Sequence, residues 1–153
     1  MKTNGLKKNL IKQLDATYCR LKASKISGVG VFAVRDIPKG LNPFATCKKN
    51  KWIKFSKKEI NEFPKSIRKM IVDFYVYDHG YYYVSYGGLN AIDISFFLNH
   101  SKNPNLITRN GEIFIPKRKI RANEELTVDY KTYEPDGIMS IKNNTFINKR
   151  AVI

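Results

Sequence analysis

The chain has 153 residues, enough for one folded domain and too few for a second. Hydrophobic residues make up 42% and aromatic residues 12%, which excludes a disordered tail, and no run approaches the roughly 18 apolar residues that a membrane span needs. With 28 Lys and Arg against 13 Asp and Glu the net charge is +15, a poor field for drawing in a basic partner unless acidic residues line the contact or bound nucleic acid is the attractant.

In chain order, residues 6–14 set Leu6, Leu10, Ile11 and Leu14 on one helical stripe with lysines opposite, so a basic helix over about 1–16 leads into the domain. From Tyr18 the pattern turns to short strands, Tyr18–Leu21 and Gly30–Val34, parted by the Ser27-Gly28 break and followed by a Pro38-Lys39-Gly40 turn. The clearest helix runs over 56–76. Ser56 with Glu59 three residues on is a capping box, and Ile67, Met70, Ile71 and Phe74 form a stripe that packs on the core. Strands return over Tyr81–Tyr86, and Gly87-Gly88 predicts a hairpin into a strand at Leu89–Ile94. Asn110-Gly111 predicts a second hairpin between Leu106–Thr108 and Ile113–Ile115. A weak strand signal around Thr145–Ile147 ends the series. The expected fold is mainly β with minor helix, divided as 1–16 (basic extension), 17–133 (domain) and 134–153 (tail).

Seven basic residues before position 26 face only Asp15, and nine between 48 and 69 face only Glu59 and Glu62. Such clusters suit either a solvated surface or non-specific, salt-sensitive nucleic-acid contact. Cys19 and Cys47 form no Cys-x-x-Cys pair, and His79 and His100 have no ligand spacing with them, so no metal is expected. The Lys-rich start lacks the apolar core of a signal peptide, which predicts a cytoplasmic or nuclear protein, or an effector exported by another route. No membrane partner is expected, and the oligomeric state, a homodimer included, is open.

Gly28-Val29-Gly30-Val31-Phe32-Ala33 fits the dinucleotide fingerprint, but its context does not. A helix must open on that motif and an acidic residue follow about twenty positions later. Here β-branched and aromatic residues follow, then a Pro-Gly turn, then the Lys48–Lys51 run of the wrong charge.

Two further runs carry the most information. Asn99-His100-Ser101-x-x-Pro104-Asn105 is followed about twenty residues on by Glu125-Leu126-Thr127-x-Asp129-Tyr130. Together with Gly28-x-Gly30 and Asp36-Ile37-x-x-Gly40, this order and spacing resembles the SET-domain lysine methyltransferases, over residues from about 17 to 133. The resemblance implies short-stranded sheets with a helical insertion and a C-terminal segment threaded, knot-like, through a preceding loop. It implies S-adenosylmethionine as cofactor, met by Gly28, Val29, Gly30, Asn99, His100 and Tyr130. It also implies a protein substrate offering a lysine, a histone or another basic protein. Tyr130 is the implied catalytic residue, because a phenol beside the reacting methyl can orient the amine. Tyr82, Tyr83, Tyr86, Val128 and Tyr133 are implied channel residues, aromatic faces suiting an ammonium. His100 acts there through main chain and hydrogen bonding rather than as acid or base.

No cysteine cluster follows Tyr130, and Val128 stands where larger members often carry an aromatic that limits methyl number. In both respects the chain is similar to minimal viral and bacterial members, for which a host nucleus is one expected location. A SET fold kept without turnover, binding nucleic acid or chromatin through its basic surface, is the alternative.

Overall fold

The computed structural model describes residues 2–47, 51–109 and 113–132. Helix α1 (Lys2–Asp15) forms where its stripe was expected, but the stripe is not buried: Leu6 is 70% exposed and Leu14 62%. Its end is held instead by Arg35, whose guanidinium donates to the Asp15 carbonyl and lies 4.2 Å over the Tyr18 ring. Strands β1 (Cys19–Ala23) and β2 (Val29–Ala33) pair antiparallel, with Cys19 opposite Ala33 and Leu21 opposite Val31.

After β3 (Trp52–Ser56), the Ser56 hydroxyl accepts the Glu59 N–H while the Glu59 carboxylate accepts the Ser56 N–H, and this box starts α2 (Lys57–Asn61). The single helix expected over 56–76 is in fact two. Pro64 has no N–H to give and pushes Phe63 out of helical geometry, so a new helix α3 (Lys65–Phe74) begins after it. On α3, Ile71 is buried and Ile67 packs against it, but Met70 is 39% exposed, so the core stripe is narrower than predicted.

Strands β4 (Tyr77–Asp78) and β5 (Tyr81–Ser85) follow, and the three pair antiparallel in the order β3-β5-β4. The strand expected at Leu89–Ile94 does not form. Gly88 takes φ 65° and ψ −166°, and two 3-10 turns, Leu89–Ala91 and Ile94–Phe97, replace it. The second is capped by the Asp93 carboxylate, which accepts the Ser95 N–H at 2.8 Å.

The chain then lays down β6 (Asn99–His100), the hairpin β7 (Leu106–Arg109) and β8 (Ile113–Pro116), and β9 (Glu125–Val128). The second predicted hairpin is thus present, its turn lying outside the described residues. Strand β9 sits inside the order β1-β2-β9-β6, antiparallel to β2 and parallel to β6. Val31, Ile37, Leu98, Leu126 and Val128 pack the main core against these strands. Ile60, Ile71 and Tyr75 pack a second cluster beneath the two helices. The architecture is mainly β with minor helix. The weak strand at 145–147 and the threaded C-terminal segment fall after Thr132, outside the described residues.

Candidate active site

Everything in the site is placed by β9. Its pairing with β2 sets Phe32 opposite Glu125, and its parallel pairing with β6 sets Asn99 opposite Thr127 and His100 opposite Val128. The glycine turn that enters β2 and the Asn-His pair of β6 are therefore brought to one strand from opposite sides. Asn105 locks that strand: its side chain accepts the Thr127 N–H at 2.9 Å and donates to the Glu125 carbonyl at 2.7 Å. This is the use of the second asparagine in the first motif.

Asn99 is 2% exposed. Three oxygens surround its amide nitrogen: Glu125 Oε1 at 2.8 Å, the Ser27 carbonyl at 3.1 Å and the Val29 carbonyl at 3.3 Å. Three acceptors dictate which way the amide points, since a carbonyl there would face only other oxygens. Glu125 is in turn held by Ser24, whose hydroxyl reaches both carboxylate oxygens at 2.8 and 2.9 Å. Ser24 Oγ also accepts the N–H of Ile26 at 2.9 Å and of Ser27 at 3.3 Å, shaping the turn from within.

The two glycines of the turn have different reasons to be glycine. Gly28 has φ 44°, in the left-handed region. Gly30 leaves room for protein: a Cβ there would lie 2.2 Å from Glu125 Oε1 and 3.0 Å from Asn99 Nδ2.

Tyr130 is 3% exposed and its hydroxyl donates to the Leu98 carbonyl at 2.7 Å. The residue before it explains its direction. Asp129 accepts the Lys131 N–H on its side chain and the Thr132 N–H on its carbonyl, both at 3.0 Å, which starts the 3-10 turn Tyr130–Thr132 and turns the ring inward. The Tyr130 N–H points at His100 Nδ1, 3.2 Å away, and the two rings lie 5.3 Å apart. A ring nitrogen that accepts a main-chain N–H is not available as a base. Accordingly burial, helped by Lys131 and Lys102, lowers the His100 pKa from 6.5, while Asp129 pulls the other way.

The folded His100 pKa lies below the unfolded one, so the unfolded chain binds more protons as pH drops. The associated stability is complete above about pH 6.5 and is lost as pH falls through the folded value. Melting temperature measured from about pH 7 to about pH 5 should fall less steeply in His100→Asn than in the wild type. Equal slopes would remove His100 from this role.

The implied channel residues are not brought together. Tyr82 and Tyr83 are neighbours on β5 and face opposite sides of the sheet. Tyr82 packs on Tyr77 with ring centres 4.8 Å apart, in the cluster under the helices. Tyr83 lies under Lys54 on the other face, with Nζ 5.5 Å from the ring centre. Tyr86 is 76% exposed beside Lys51. Val128 is wholly buried in the main core, and Tyr133 lies outside the described residues. The lysines of this region are also divided: Lys54 covers Tyr81 and Tyr83, whereas Lys57 covers Tyr77 on the opposite face. Among the described residues no group of His, Cys, Asp and Glu is placed to hold a metal, and no helix is long and apolar enough to cross a membrane.

A mixed sheet whose central strand carries the acidic and tyrosine motif, flanked by a glycine turn and an Asn-His strand, is the architecture of a SET domain. The SET-domain family profile matches residues 28–131, and the chain belongs to that family. Among solved structures, a chain of apo Chaetomium thermophilum Polycomb Repressive Complex 2 aligns with a TM-score of 0.52 and 21% identity, over 82% of this chain and 16% of that one. A proposed histone methyltransferase of Plasmodium falciparum aligns with a TM-score of 0.47 and 18% identity, over 74% of this chain and 93% of that one. At 21% identity the likeness to the Polycomb chain is one of fold. No curated protein matches the chain.

Sequence reasoning missed Glu125, Ser24 and the Leu98 carbonyl. Glu125 opens the second motif and is one of its two carboxylates, with Asp129. The other two carry no signal a motif can show.

Proposed function

We propose that the chain is a protein-lysine N-methyltransferase that uses S-adenosylmethionine and acts on histones or other basic proteins. The observation that carries this reading is the convergence of the glycine turn, Asn99 and an inward-turned Tyr130 on β9. S-adenosylmethionine, when bound, supplies a methyl group carried on a positively charged sulfur. The residues present fit its amino-acid end. With its nitrogen committed to three oxygens, Asn99 offers a ligand only its carbonyl oxygen, the right polarity to accept from an ammonium. Gly28 and Gly30 add no side chain along the same turn, and the main chain of 28–30 supplies further polar groups.

On the substrate side, the Tyr130 phenol gives its hydrogen to Leu98, so towards any other partner it acts only as an acceptor. It can take an N–H of the incoming amine and so aim the nitrogen lone pair. A lysine, with a pKa of about 10.4 in water, must arrive neutral, and enclosure beside positive charge favours that form. The chain's part is alignment and electrostatics rather than proton abstraction by His100. Lys54 and Lys57 cover tyrosines on opposite faces of the three-stranded sheet, so these two lysines do not share a face.

The test is transfer of a labelled methyl group to histones, with and without nucleosomal DNA, followed by mass spectrometry. Label on lysine is expected, with more than one methyl per residue if the resemblance holds at position 128, where a valine stands in place of the larger members' aromatic. Monomethyl product alone after exhaustive turnover would reject the second expectation. No transfer to any basic protein, alongside salt-sensitive DNA binding, would favour the silent module.

A further inference from the structure

We propose that Glu125, braced by Ser24, is a positioning residue for the cofactor's amino-acid end, acting through Asn99. This rests on the methyltransferase reading. The carboxylate does its work from behind the turn. Oε1 receives the Asn99 amide at 2.8 Å and sits where a Gly30 side chain would otherwise be. Both oxygens are pinned by the Ser24 hydroxyl, which is itself fixed by two main-chain N–H groups of the β1–β2 turn.

The chain of contacts thus ties the loop before β2 to β9, and β9 to the one side chain whose remaining polar atom is an acceptor. Without Glu125 the Asn99 amide keeps two carbonyls, both on the turn, and loses the partner that anchors it to the central strand. The amide then hangs on the turn alone and moves with it, so its oxygen is no longer held at a fixed place beside β9 to accept from an ammonium. Hydrogen-bond acceptance is what the role needs, so a glutamine, which keeps a carbonyl oxygen at that distance, should suffice.

The experiment is calorimetry of the full chain with two ligands: S-adenosylmethionine, and methylthioadenosine, which keeps the adenosine and sulfur but lacks the amino-acid end. Glu125→Ala should weaken S-adenosylmethionine about tenfold and methylthioadenosine less than about twofold, the scale of losing one buried polar contact at one end of a ligand. Glu125→Gln should restore most of the loss. If Glu125→Ala does not fold, Ser24→Ala replaces it, with a loss in the same direction. Equal weakening of both ligands would mean a merely structural role and would overturn the proposal, as would unchanged affinity. Failure of Glu125→Gln to restore binding would replace positioning by direct charge attraction. A wild type that binds neither ligand would sink the methyltransferase reading itself.

Discussion

Tyr130→Phe should lower the rate of methyl transfer by about a hundredfold or more, the scale for removing one preorganised polar group from a reacting centre. The change deletes one oxygen and keeps the ring, so the packing of Tyr130 against His100 and the core persists. The lost bond to the Leu98 carbonyl should cost about 1 kcal/mol, a fall of about 3 °C in melting temperature for a domain of this size. Affinity for S-adenosylmethionine should hardly move, because the contacts proposed for its amino-acid end are made by Asn99 and the 28–30 turn rather than by the Tyr130 hydroxyl. Steady-state kinetics should therefore show the loss in kcat with KM little altered. A mutant that turns over at the wild-type rate would end the catalytic assignment.

Gly30→Ala is expected to be the most damaging single methyl group in the site. Its Cβ would meet Glu125 Oε1 at 2.2 Å, Glu125 Cδ at 2.9 Å and Asn99 Nδ2 at 3.0 Å. Glu125 can retreat only by leaving Ser24 and Asn99, so overpacking and lost polar contacts add. Together they should reach about 3 kcal/mol, or about 10 °C in melting temperature. The double variant Gly30→Ala/Glu125→Ala separates the causes. With the carboxylate gone the added methyl should cost far less, a large coupling in a mutant cycle. Gly30→Ala that melts with the wild type would show the carboxylate free to move and would dismiss the close-packed description.

The motifs were legible because each is a short contiguous run with its chemistry on board: Asn99-His100, Asp129-Tyr130 and the paired glycines. Their meeting was legible only through family resemblance. What the glycines do was half legible, since nothing near Gly30 in sequence announces that a side chain from position 125 needs its space. The tyrosine-rich run misled for a related reason. Direction on a strand depends on register, and Tyr82 and Tyr83 were bound to point apart once both lay on β5. Gly87-Gly88 signals a hairpin into a strand at Leu89–Ile94, yet Gly88 and the Asp93 cap make two short turns there. Pro64 is visible in the sequence, and it is what divides the apolar stripe of 56–76 between two helices. The exposed face of α1 shows the opposite limit: a stripe at helical spacing states that a face is apolar, not that something covers it.

The placement of β9 also sets the order in which this protein can come into being. Phe32 pairs with Glu125 and Asn99 with Thr127, so every polar contact that shapes the glycine turn from behind waits on residues made late in synthesis. Closing so long a loop is an entropic barrier that local contacts do not lower, and such topologies fold slowly. While the ribosome is still short of residue 125, the β1–β2 hairpin has only its own pairing to hold it, and Asn99 has no carboxylate to point it. The glycine turn is therefore braced from behind only once β9 has paired with both of its neighbours.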